Sequence, residues 1–223
     1  MKIETILLTL ESILLIATII LLLYSIREGK HRRNLLLEVG KATKIFTRQE
    51  YFLSVKDSMM DAQREIVGFI TGRPPSDDDS KRINDIVHNI ETLTAKGVKV
   101  KYLIPKFHDR LQIGHLYTKA GAEVRYSICA LVSNLRYIII DENVAVIGIP
   151  ESVGEKEATR KGYRIPSEGM ASILKNNFSE CWEQSTTFND YVKEIIRQTG
   201  AAPKMLEKEL HIDEKELERL AGL

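Results

Sequence analysis

The residues that could do chemistry here are few, and most are set where chemistry is hard to arrange. The five histidines are His31, His88, His108, His115 and His211. None stands at a spacing that makes a metal pair or a catalytic dyad, so each reads as a surface or half-buried side chain. The two cysteines, Cys129 and Cys181, are too few for a disulfide framework and match no metal motif. A reducing compartment is the reading that fits, with Cys129 taken as a small core residue that has no base beside it. Asp77, Asp78 and Asp79 precede a helical stretch, where carboxylates cap free N–H groups and complement the dipole rather than bind a metal. No metal and no cofactor is expected. Asn134 and Arg136 remain, just ahead of an apolar run. The planar fork of Arg136 suits phosphate, and Asn134 can both donate and accept. Alternatively, Arg136 pairs with a carboxylate such as Glu151 at a sheet edge.

Alternating elements must position these groups. Residues 34–63 read as one or two helices. Glu65–Ile70 is a short strand ending at Gly72-Arg73-Pro74-Pro75. Ile83, Ile86, Val87, Ile90 and Leu93 fall at helical spacing, and Gly97 closes that helix. Val98–Ile104 is a second strand, 108–120 a helix, and Glu123–Ile128 a third strand. Leu135–Ile140 and Val144–Ile149 form a hairpin across Asp141-Glu142-Asn143. Tyr137–Ile140 is apolar without alternation, as expected of a strand covered on both faces. A charged loop, 151–163, leads to a helix over 167–184. The tail from 187 reads as three short helices, the last begun by Asp213 and Glu216 as a capping box. Strands alternating with helices predict an α/β fold.

Ahead of this lies an apolar segment, Ile6–Ile26. Its 21 residues would span about 31 Å at roughly 1.5 Å each, the thickness of a bilayer core. It ends in Leu23-Tyr24-Ser25-Ile26 and then charge, unlike a cleavage site. Arg27, Lys30, Arg32 and Arg33 come after it, whereas Lys2 alone precedes it. This excess of basic residues places the C-terminal bulk of the chain in the cytoplasm and sets the basic cluster against anionic headgroups. Glu11, near the outer end, reads as a tolerated polar residue, the alternative being contact with a partner helix. The expected organisation is a transmembrane anchor (1–26), a basic juxtamembrane linker (27–44), an α/β domain (45–186) and a helical tail (187–223).

Three stretches resemble the phospholipase D superfamily in order and spacing. They are Asp61-Ala62-Gln63-Arg64-Glu65-Ile66-Val67; Ala95-Lys96-Gly97-Val98-Lys99-Val100-Lys101-Tyr102-Leu103; and Ala120-Gly121-Ala122-Glu123-Val124-Arg125, continuing through Asn134-Leu135-Arg136 and Asp141 to Gly148 and closing with Phe178-Ser179-Glu180-Cys181-Trp182. The resemblance covers more than half the chain. It implies a mixed sheet flanked by helices, and two copies of a His-x-Lys-x4-Asp motif meeting within a chain or across a dimer. Such a site cleaves phosphodiesters through a phosphohistidine. Carried over, the histidine position is Asn134, the lysine position Arg136 and the aspartate position Asp141. Gly148 matches the family's glycine, Ile149 stands where a serine is usual, and Glu151 where an asparagine is frequent. An amide is neither nucleophile nor proton shuttle near neutral pH, so no catalytic residue is assigned.

These readings converge on a membrane-anchored, non-catalytic phospholipase D-like domain at the cytoplasmic face of the cell membrane. It would bind a phosphate-bearing ligand or a protein partner, and the resemblance implies a homodimer. Two rivals are a phosphodiesterase with a divergent site and a scaffold assembling through its tail. Lys and Arg total 32 against 31 Asp and Glu, and the tail is acidic. Neither gives the basic field that nucleic acid requires.

Overall fold

The computed structural model describes residues 13–27, 43–45, 48–73, 80–150, 159–199, 207 and 212–221. Glu11, His31, Asp77, Asp78, Asp79, Glu151 and His211 lie outside the described residues. The chain divides into two units, Met1–Lys41 and Ala42–Leu223. In the first, helix α1 covers residues 13–27 with exposed apolar side chains such as Ile13 and Leu21. Among the described residues no helix is long and apolar enough to cross a membrane.

The second unit is built on one sheet. Its elements are β1 (Thr43–Ile45), α2 (Arg48–Met60), β2 (Glu65–Phe69), α3 (Ser80–Ala95), β3 (Lys99–Pro105), α4 (Leu111–Lys119), β4 (Glu123–Ser127), α5 (Ala130–Asn134), β5 (Arg136–Ile140), β6 (Val144–Pro150), β7 (Thr159–Pro166), α6 (Glu168–Glu183), β8 (Thr186–Thr187), α7 (Phe188–Thr199) and α8 (Glu214–Ala221). The strand order is β1-β7-β6-β5-β2-β3-β4-β8. Strands β2, β3 and β4 are parallel, the crossovers that this requires being α3 and α4, and the other pairings are antiparallel. The sheet is therefore mixed, as the resemblance implied.

Its two faces carry separate cores. Ile66, Tyr102, Tyr126 and Ile138 on one face pack with α2, α3, α4 and α7. Val67, Leu103, Tyr137 and Ile139 on the other pack against α6. Strand β5 contributes alternately to both, which explains its unbroken apolar run. Where the sheet is tightest a side chain is excluded: a Cβ on Gly68 would lie 2.3 Å from the carbonyl oxygen of Tyr137 on the adjacent strand.

Several sequence expectations need correction. The stretch read as helix from 34 contains β1, which pairs with β7. Part of the stretch read as a charged loop is β7, whose pairing with β6 runs from Val144 opposite Pro166 to Pro150 opposite Thr159. Its Thr-Arg-Lys-Gly-Tyr-Arg-Ile-Pro sequence shows no apolar alternation, and backbone ladders to β6 and β1 on its two edges make it a strand. The short elements α5 and β8 have no counterpart in the sequence pattern. Helix α6 begins as foreseen, with Ser167 Oγ accepting from the Met170 N–H at 3.1 Å. Asp213 caps α8 by accepting from the Lys215 N–H at 2.8 Å, but Glu216 pairs with Arg219 instead of completing a box. Both α7 and α8 bury apolar residues in the first core, Val192 and Leu217 among them.

Candidate functional site

Parallel strands β2, β3 and β4 all end at one edge of the sheet. Strand β5 runs against β2, with Tyr137 opposite Phe69, so its first residue, Arg136, stands at that same edge. Strand order reverses at β2, since β3 and β4 are added on one side of it and β5 on the other, and in open α/β sheets ligands sit in the crevice beyond the carboxyl ends at such a reversal. Arg136 is half-buried and lies opposite Gly148 of β6. It shares the face of Ile138 and Ile140, toward α2. There the phenol of Tyr51 is pushed up to about 12 by burial, against the opposing charge of Arg136. Asn134 is exposed at the end of α5, whose last turn is closed by the Leu135 N–H donating to the Leu131 carbonyl at 2.8 Å. Asn134, Arg136 and Gly148 are thus brought to one edge. Ile149, next to Gly148, is exposed and offers no hydroxyl. The expected pairing of Arg136 with Glu151 falls outside the described residues.

Asp141 is elsewhere. It comes directly after the last residue of β5, about 17 Å from Arg136 at roughly 3.4 Å per residue. Its backbone is in the left-handed region at φ 50°. Its carboxylate accepts from the N–H groups of Gln63, Arg64 and Glu65 at 2.7, 2.8 and 2.9 Å. The Arg64 guanidinium donates to its carbonyl at 2.8 Å. Burial works against ionisation, but those three donors and the Arg64 charge outweigh it and hold the carboxyl below its usual range. Asp141 is a brace between the β5–β6 turn and the start of β2. Periodicity already contained this: a five-residue strand separates its two ends, and a residue at each end cannot share a cleft.

Sequence reasoning missed two features of this edge. Arg110 is buried in the 3-10 turn after β3 and donates to the Thr71 carbonyl at 3.0 Å, tying the loop after β2 to the end of β3. Nothing local marks it out, since the contact spans 39 residues. The second is a correction: Cys129 and Cys181 are joined as a disulfide, and their Cα atoms are 6.1 Å apart. Cys129 is therefore more than a small core residue.

The remaining titratable groups do not extend the site. His88 and His108 are exposed. His115 is half-buried beside Phe188, and burial lowers its imidazole while Glu216 pulls the other way. Among the described residues no three His, Cys, Asp or Glu side chains come together as a metal would need. A groove of about 280 Å³ between α2 and α3, lined by Phe52, Lys56, Arg82 and Asp85, contains no motif residue.

No protein-family model matches the chain, and no curated protein does so either. Solved structures do. NucT from Helicobacter pylori is 13% identical, with a TM-score of 0.51, over 66% of this chain and 98% of that one. TrmBL2, an archaeal chromatin protein with a novel mode of DNA binding, is 19% identical with a TM-score of 0.50. That match spans 73% of this chain but 64% of TrmBL2. Nuc from Salmonella typhimurium, a phospholipase D family member, is 14% identical over 66% of this chain and 98% of its own, with a TM-score of 0.49. At such identities the likeness concerns fold alone. The second unit shares its fold with NucT and with the matched part of TrmBL2.

Proposed function

We propose that this chain is a membrane-anchored, non-catalytic phospholipase D-like domain whose Asn134–Arg136 edge binds a phosphate-bearing ligand. The apolar segment 6–26 would be the anchor, residues 27–223 would lie in the cytoplasm, and two copies would associate. The observation that carries the reading is the position of Arg136: a guanidinium at the carboxyl edge of the sheet, where strand order reverses, two residues after an amide that occupies the family's nucleophile position. Positive charge remains there and the nucleophile does not. Losing such a nucleophile typically costs many orders of magnitude in rate, whereas charge-assisted binding survives. The DNA binding named for TrmBL2 is not carried over, because a net charge of +1 gives no overall basic field.

The test is thermal melting with and without millimolar phosphate. Arg136 already has a partner in the folded chain, so phosphate must share the guanidinium or displace that partner. A bidentate charge-assisted contact contributes about 1.5–3 kcal/mol, or roughly ten- to a hundredfold in affinity. Phosphate should therefore raise the wild-type Tm, and Arg136→Ala should remove most of that response. Lys99→Ala, at the opposite end of β3, should leave it intact. Indifference of the wild type to phosphate would end the reading. Hydrolysis of lipid or nucleic-acid phosphodiesters that Asn134→Ala abolishes would replace it with an enzyme.

A further inference from the structure

We propose that Cys129 and Cys181 form a reversible thiol–disulfide site that holds α5, and with it Asn134, in place at the edge of the sheet. Helix α5 has little of its own to hold it. It has five residues, and of its side chains Val132 alone is buried; Ala130, Leu131, Ser133 and Asn134 are not. One apolar anchor is little for a segment that must bring an amide to a fixed point. Cys129 is the residue immediately before the helix, with its N–H donating to Ser127 Oγ at 3.1 Å. Its sulfur is bonded to Cys181, which is buried on α6 between Phe178 and Trp182 in the second core. A bond from a loop to the most firmly packed helix on that face supplies the missing anchor. The Cα separation of 6.1 Å lies in the range that disulfides span.

The burial difference sets the order of events. Cys129 is half-buried and Cys181 is buried, so Cys129 meets an external reagent first. Its thiolate attacks one sulfur of a small disulfide such as glutathione disulfide, and one glutathione leaves as thiolate. The Cys181 thiolate then attacks the Cys129 sulfur and expels the second glutathione. Two protein thiols and one small disulfide become one protein disulfide and two small thiols. The two electrons pass to the glutathione sulfurs, and the two protons end on them. Reduction is the same path reversed. A disulfide fixed once in an oxidising compartment would need no such path, and it would conflict with cytoplasmic placement of the domain.

The consequence for phosphate rests on the binding site proposed above, so the experiment reads the two separately. The full chain, in detergent micelles, is equilibrated in buffers from wholly reduced to wholly oxidised glutathione, and free thiols are trapped by alkylation. Amide hydrogen exchange at Val132 and Leu135, whose N–H groups bond to Cys129 and Leu131 carbonyls, is measured at both extremes. The thiols should titrate within the series, and reduction should speed exchange of these amides about tenfold or more. Cys129→Ser should exchange fast in every buffer, as should Cys181→Ala. The proposal falls if the thiols stay alkylatable in oxidised glutathione, if the bond survives the most reducing buffer, or if exchange in α5 ignores the redox state. Phosphate melting is then run on both forms, and the oxidised form should respond more strongly. Redox-dependent exchange with no phosphate response in either form leaves this proposal standing and removes the anion site.

Discussion

Arg136 and Asp141 sit at the two ends of one strand and do different work. Asp141 gathers three backbone N–H groups, and an amide in its place could not accept all three. In Asp141→Asn the amide nitrogen would face the Gln63 N–H, leaving that part-buried donor unpaired at a cost of about 1–3 kcal/mol. The urea midpoint at neutral pH should fall accordingly. Because its carboxyl is held below the usual range, Asp141 stabilises the fold above the unfolded carboxylate value of about 4. That stabilisation is lost as pH falls through its lower folded value. Asp141→Asn should therefore show less acid destabilisation than wild type over that window, and equal acid sensitivity would deny Asp141 the role. Gly68 makes a second case. A methyl group there would meet the Tyr137 carbonyl, and neither backbone can yield without breaking the β2–β5 ladder. Gly68→Ala should cost about 1–3 kcal/mol or more, whereas Gly97→Ala, in open space, should cost only the strain of its positive φ.

At the scale of elements, the disulfide and the charged strand β7 share one property: neither is stabilised by anything within its own segment. The bond joins residues 52 positions apart, and in the chain-entropy model closing such a loop is worth about 4 kcal/mol. Reduction, or Cys181→Ala, should lower Tm by several degrees and up to about 15 °C. Differential scanning fluorimetry with and without reductant measures it, and coincident melting curves would contradict the bond. Strand β7 depends on β6 and β1 for its ladders, and on the Arg164 guanidinium donating to Ser58 Oγ of α2 at 3.2 Å. Helix α2 bears out the helical reading of its stretch: Tyr51, Val55 and Met59, four residues apart, form its buried face, while Leu53 and Met60 are exposed.

For the whole molecule, the question is what the two units do apart. The second unit contains both cores and the entire sheet. Deleting residues 1–26 should release a folded, soluble protein with an unchanged cooperative melt, and recovery of aggregates alone would mean that the anchor completes the core. A C-terminal reporter that works only in the cytoplasm should be active in the full chain. Activity of a reporter that works only outside would reverse the orientation, and would make the Cys129–Cys181 bond a permanent fixture.

The sequence by itself determined strands β2 to β6 with helices α3, α4 and α6, the hairpin at Asp141, the basic asymmetry after residue 26 and the amide at Asn134, where the resemblance implies a nucleophile. These are legible because helix and strand periods, turn residues and motif identities are properties of neighbours in the chain. Tertiary structure alone decided that Cys129 reaches Cys181, that Arg110 ties down Thr71, that β7 is a strand, and that α7 and α8 join the first core. Each depends on contacts between residues far apart in sequence, chosen by which surfaces the sheet leaves to be covered and which of its edges remain to be paired. No local pattern encodes that choice. The separation of Arg136 from Asp141 falls between the two, since it was implicit in the predicted strand and became decisive only when the partners of Asp141 were seen at its far end.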